Sequence, residues 1–227
     1  MMYAERGLRA PRIVWYSQAA SDSTRLGNVL DVFPCARERT AVLLADVSHD
    51  GLRTERYARS LHRVVRASAD ANAPARVLDL ANSAFGRTIN EYGGNRSFAT
   101  VFVGTLRGRV MTYASAGYDL GLIVNAAGQH RHLPNTGALF GVDGDRYADE
   151  SVVFESGDWL ILASGGVAYT RDRDGEPFGT HGIARSAIAA LVANLADPAP
   201  AVLEASRRHA AAGRLSDDAS VLCVELT

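Results

Sequence analysis

The chain has 227 residues, 24 Lys+Arg against 25 Asp+Glu for a formal net charge of -1, and 47% hydrophobic residues. That balance supplies no overall basic field for nucleic acid or an anionic membrane, and the apolar fraction suffices for a substantial core. No run approaches the length of a membrane span and Met1–Pro11 lacks the apolar centre of a secretory signal, so the expectation is a cytoplasmic protein.

In chain order, Arg12 to Gln18, Val29 to Phe33 and Thr40 to Val47 are rich in β-branched and aromatic residues and predict strands. The third, Ala41-Val42-Leu43-Leu44-Ala45, is apolar on both faces, as expected of a strand covered on both sides. From Leu52 to Ala71 the period becomes helical, with Tyr57 or Ala58, Leu61, Val64 and Val65 on one face and Arg53, Glu55, Arg59 and Arg63 on the other. Pro74 suits the first turn of a second helix reaching Tyr92, before Gly93-Gly94.

Phe98 to Leu106, Val110 to Ala114 and Leu120 to Val124 predict an antiparallel meander with turns at Arg107-Gly108 and Ala127-Gly128. Ser151 to Phe154 and Trp159 to Ala163 predict a strand pair about Gly157-Asp158. Helices near Ile183 to Leu195 and Pro198 to Ala212 precede a closing strand, Val221 to Leu226. Long strand runs between helix pairs imply an α+β fold with antiparallel sheets and helices packed outside. Cys35 and Cys223 lie too far apart in sequence to suggest a zinc knuckle or a CxxC pair, and read as reduced packing residues.

Three segments carry candidate chemistry. Asp46-Val47-Ser48 ends an apolar strand where a carboxylate can meet a ligand at the sheet edge, although alone it reads more readily as a helix cap through Asp46 or Ser48. Asp217-Asp218 precedes the last strand; adjacent acids commonly solvate a turn, but one turned inward beside Asp46 would require a cation or a shifted pKa. Ser164-Gly165-Gly166 reads as a flexible turn and, with no P-loop lysine following, not as a phosphate cradle.

The ordered series resembles the metal-dependent PPM (2C-type) serine/threonine phosphatases, in the bacterial branch of stage II sporulation E and the phosphatases of anti-sigma-factor antagonists. Gly27-Asn28-Val29-Leu30-Asp31 resembles that family's Gly-Asp-x-x-Asp strand, and Ala45-Asp46-Val47-Ser48-His49-Asp50-Gly51 its Gly-Asp-Val-Ser-Gly-His-Gly turn. Phe98-Ala99-Thr100-Val101-Phe102, Ala114-Ser115-Ala116-Gly117-Tyr118, Leu139-Phe140-Gly141-Val142, Glu155-Ser156-Gly157-Asp158 and Ser216-Asp217-Asp218-Ala219-Ser220 follow in family order. The resemblance implies a four-layer αββα sandwich, two antiparallel β-sheets flanked by helix pairs, over residues 25–227, with residues 1–24 an N-terminal extension and first strand.

It also implies a two-ion manganese or magnesium site. Asp46 would bridge both ions, the Val47 carbonyl would assist one and Asp217 would bind the other, with Asn28, Asp31 and Asp218 as further candidate ligands and Asp50 as a substitute acid. Two matching positions depart from the pattern: Asn28 stands where the family has Asp, and Gly165 where it has the Asp of a Thr-Asp-Gly-Val turn. Asn brings no negative charge, and Gly no ligand at all. The expected function is therefore hydrolysis of phosphoserine or phosphothreonine on a phosphorylated regulatory protein, such as an anti-sigma-factor antagonist, with impaired metal binding. The alternative is a pseudophosphatase that recognises such a partner without catalysis.

Overall fold

The computed structural model describes residues 12–18, 27–48, 54–92, 97–142 and 146–226. Ten strands form two antiparallel five-stranded sheets. One holds β2 (Asn28–Cys35), β3 (Arg39–Ser48), β4 (Phe98–Arg107), β5 (Val110–Ala116) and β8 (Glu150–Val153), hydrogen-bonded in that order. The other runs β1 (Arg12–Gln18), β10 (Ala219–Leu226), β9 (Asp158–Ala163), β6 (Gly121–Val124) and β7 (His130–Leu133). Helices α1 (Thr54–Ser68) and α2 (Pro74–Tyr92) cover the first sheet, while α3 (Gly165–Ala168), α4 (Gly179–Val192) and α5 (Ala199–His209) cover the second. This is the four-layer α+β sandwich that the motif series implies.

The period of two along β3 organises the first sheet. Val42 and Leu44 enter the core between the sheets, with Phe102 on their own side and Leu160 and Leu162 on the other. Ala41, Leu43, Ala45 and Val47 turn outward, under Tyr57, Leu61, Val65 and Phe85 of α1 and α2. Both faces of β3 are thus buried, which explains its unbroken apolar run. Asp46 continues the Val42–Leu44 face and lies at the mouth of the gap between the sheets.

Two predicted pairings are corrected. The expected meander is split, because β4 and β5 form a hairpin in one sheet whereas β6 belongs to the other and pairs with β7 and β9. Likewise β8 and β9 do not pair across Gly157-Asp158: β8 lies on β5, and β9 on β10 and β6. Each short connection crosses between sheets instead of reversing within one. Strand periodicity reports that a segment is extended and which face is buried, and is silent on the sheet it joins. Strand β7 was not expected, and the first helix begins at Thr54, its proposed residue Leu52 lying outside the described residues. The first strand, assigned to an N-terminal extension, is hydrogen-bonded along β10, from Arg12 opposite Glu225 to Gln18 opposite Ala219.

Candidate metal-binding cleft

At one edge of the sandwich four chain segments meet: the end of β3, the β5–β6 crossover, the β9–α3 turn and the loop before β10. They enclose a cleft of about 220 Å³ whose wall includes Asp46, Ser48, Asp119, Gly165, Tyr169 and Asp217. Asp46 and Asp217, 171 positions apart in sequence numbering, are brought together as expected. Burial, reinforced by the Asp217 carboxylate and then by that of Asp218, pushes Asp46 up to about 6, while the Gly165 N–H it accepts pulls the other way. Among the described residues the wall carries three carboxylates, Asp46, Asp119 and Asp217, and no Arg or His side chain; the chain has no lysine.

The loop before β10 is tied to both sheets. Asp217 Oδ1 accepts the Asp218 N–H at 2.7 Å, and Asp218 Oδ2 accepts the Gly27 N–H at 3.1 Å. The Asp218 carbonyl accepts from Asn28 Nδ2 and from Ser164 Oγ, each at 3.2 Å. Asp218 therefore fastens the loop to β2 and β9, leaving Asp217 as the acid that lines the cleft. Gly166 is required for this approach, since a Cβ there would lie 2.2 Å from the Asp218 carbonyl oxygen.

Asn28 stands opposite Asp46 in the β2–β3 register. Its Nδ2 is held by Asp218 and, at 2.9 Å, by Ser220 Oγ, whereas its Oδ1 is buried without a hydrogen-bond partner among the described residues. Asp31, three residues on, falls on the other face of the strand, where it meets His62 Nε2 at 2.6 Å and Arg66 Nη1 at 3.2 Å of α1. It is not brought to the cleft, and is better described as an anchor for α1. The Val47 carbonyl faces Gly27, within 2.9 Å of where a Cβ would stand. Asp50 lies outside the described residues.

The Ser164-Gly165-Gly166 segment is the start of the short helix α3 rather than a flexible turn. Gly165 does not adopt a positive φ, and a Cβ on it would sit 3.4 Å from Asp46 Oδ2 and 3.2 Å from the Tyr169 ring. An acid in that position would point at Asp46; glycine leaves the place vacant. Sequence reasoning missed Asp119 and Tyr169. The signal for Asp119 was its place directly after Ala116-Gly117-Tyr118, where Gly117 has φ +60° and a Cβ would meet Leu139 at 2.6 Å. Tyr118, in contrast, is structural: its buried hydroxyl donates to the Ala163 carbonyl and accepts the Ala163 N–H, both at 3.0 Å. Burial, above all, pushes that phenol well above its ordinary range.

Residues 36–227 match the family described as Stage II sporulation protein E (SpoIIE). The chain belongs to the SpoIIE family. Solved structures agree on the fold of this SpoIIE-family chain. The RsbU and RsbW domains of Rv1364c from Mycobacterium tuberculosis superpose with TM-score 0.78 at 22% identity, over 95% of this chain and 59% of that one. The SiaA-PP2C domain of Pseudomonas aeruginosa gives TM-score 0.78 at 16% identity, covering 96% and 86%. The catalytic domain of the serine/threonine phosphatase PstP, solved in complex with two manganese ions, gives 0.71 at 13%, covering 95% and 97%. This chain spans 59% of the length of the first of these. No curated protein matches the sequence.

The PstP structure holds manganese, and the donors of this cleft compare with what such an ion takes. Asp46, Asp217 and the unpartnered Asn28 Oδ1 are hard oxygen donors of the kind magnesium and manganese take. In donor chemistry these three oxygens suit a hard divalent ion. A second would need the acid absent at Gly165, and among the described residues no three His, Cys, Asp or Glu side chains are arranged to hold a metal ion. Among the described residues no helix is long and apolar enough to cross a membrane.

Proposed function

We propose that this SpoIIE-family chain binds a phosphoserine or phosphothreonine of a bacterial signalling protein at the Asp46–Asp217 cleft and hydrolyses it slowly, with one weakly held manganese or magnesium ion. The observation that carries this is the set of three acids, Asp46, Asp119 and Asp217, in a wall whose described residues include no cation. A phosphate dianion facing three carboxylates is repelled, so a divalent cation must enter first for the cleft to accept it.

Asp46 and Asp217 would hold that ion, with the Asn28 amide oxygen and the Val47 carbonyl as neutral donors. When bound, it supplies Lewis acidity toward a phosphoryl oxygen and cancels the repulsion between the two acids. The Gly165 N–H orients the Asp46 carboxyl, and the Asp218 hydrogen bonds to Gly27 and Asn28 keep Asp217 across the gap. The partner is proposed to be a cytoplasmic phosphoprotein such as an anti-sigma-factor antagonist, a reading supported by the likeness to RsbU and SiaA domains. The domain is proposed to span residues 25–227.

A second reading, a pseudophosphatase that binds the phosphoprotein without turnover, is favoured by the empty acid position at Gly165. One assay separates the two: phosphate release from a phosphoserine protein and from an aryl phosphate, in chelator and in excess manganese. Slow release with manganese alone supports the first reading. Phosphoprotein binding without release supports the second, and brisk release in chelator refutes both.

A further inference from the structure

In the helix layer over the second sheet, α4 and α5 run side by side with a groove of about 670 Å³ between them. Both helices turn their large side chains inward: Ile183, Leu191, Val202 and Leu203 are buried in the core. Between the two helices the groove floor is made of small residues. Ala189 on α4 and Ala201 and Ala205 on α5 line the groove floor, with Leu195 at the α4–α5 turn 49% exposed at one end. Arg185 and Arg208 stand at the walls toward the other end. Among the described residues no carboxylate lines the groove, and no described element packs over it.

We propose that this groove docks an acidic amphipathic helix of a partner protein. An alanine floor lets a third helix approach to the ~8–10 Å interaxial spacing of packed helices, which larger side chains would prevent. The visitor's apolar stripe would cover Leu195 and the alanines, and acidic residues at one of its ends would meet Arg185 and Arg208. Arg185 is exposed, and the Arg208 contact with Glu204 is a loose surface pair at 3.8 Å, so both guanidiniums are open to a second carboxylate. The 14 residues of α4 set the groove length at about 21 Å, matching a visitor of three to four turns. A membrane surface would not enter a concave channel, and a few cations over an apolar floor are a poor match for a nucleic-acid backbone. Docking here does not depend on the chemistry of the cleft.

The probe is a synthetic helical peptide of about 15 residues, with leucines at i, i+4 and i+7 and glutamates at one end, titrated by fluorescence anisotropy into the full chain. A twin carries lysines in place of the glutamates. The acidic peptide is expected to bind at least about tenfold more tightly than its twin, and Arg185→Glu with Arg208→Glu to invert that order. Ala201→Arg should abolish binding; Ala189→Arg, at an exposed position, makes the same block without threatening the fold. Equal binding of the two peptides, or binding unmoved by these changes, overturns the proposal. So does self-association that Ala189→Arg abolishes, which would make the occupant a second copy of this chain, or occupation by anionic vesicles that the acidic peptide does not displace.

Discussion

Replacing Asp46 by Asn tests whether the cleft holds its acids in an unfavourable state until a cation arrives. Burial, then Asp217 and Asp218, raise Asp46 from 3.8 to about 6. A rise of about two units at 1.36 kcal/mol each amounts to about 3 kcal/mol, an upper figure for a partly exposed group. The sign follows from proton binding: between pH ~4 and ~6 the folded state holds the proton more tightly than the unfolded state, so stability falls as pH rises through that window. Asn keeps an oxygen for the Gly165 N–H and removes the charge. Asp46→Asn should therefore be more stable than wild type by about 1–3 kcal/mol at pH 8 in chelator, and equal to it near pH 3.5. Urea unfolding across that pH range reads the difference. Excess manganese should narrow and then reverse the order, wild type gaining about 1.4 kcal/mol at ten times its dissociation constant and about 4 kcal/mol at a thousand times, and the variant much less. A variant less stable than wild type at pH 8 without metal, or a difference independent of pH, would refute the account of Asp46.

Four further outcomes follow from the same geometry. Gly165→Asp meets no backbone barrier and points its acid at Asp46, so it should cost about 1–3 kcal/mol in chelator yet tighten manganese binding by about tenfold or more in titration calorimetry. Adding Asn28→Asp should help less than charge alone suggests, because it sets an acceptor against the Asp218 carbonyl and costs about 1–3 kcal/mol, visible as a lower melting temperature of the double variant in chelator. Gly166→Ala drives a methyl to 2.2 Å from the Asp218 carbonyl and should destabilise by about 3 kcal/mol or more in scanning calorimetry, with loss of manganese binding. Asp31→Asn removes a half-exposed contact with His62 and Arg66; a stability loss under about 1 kcal/mol with unchanged manganese affinity is expected, and an altered affinity would return Asp31 to the site.

The sequence by itself determined the elements and the order of the motifs. The helical stripe of Tyr57, Leu61 and Val65 is the buried face of α1, and the two-sided run Ala41–Ala45 is the doubly covered strand β3. Asp46 and Asp217 were legible as a pair because each ends or precedes an apolar strand at an edge. The separation of Asn28 from Asp31 was also open to sequence reasoning, since residues three apart on a strand face opposite sides, once Asn28 is included in the strand. Other features exist only in the folded chain. Which sheet receives β6 and β9, the place of Asp119 in the cleft wall, and the approach of Gly166 to Asp218 across 52 positions of sequence depend on long-range pairing. Local periodicity reports how deeply a segment is buried and on which face. It carries no information about which distant segment supplies the contact, and the Asp46 pKa, the unpartnered Asn28 oxygen and the lack of any cation in the wall are properties of those contacts.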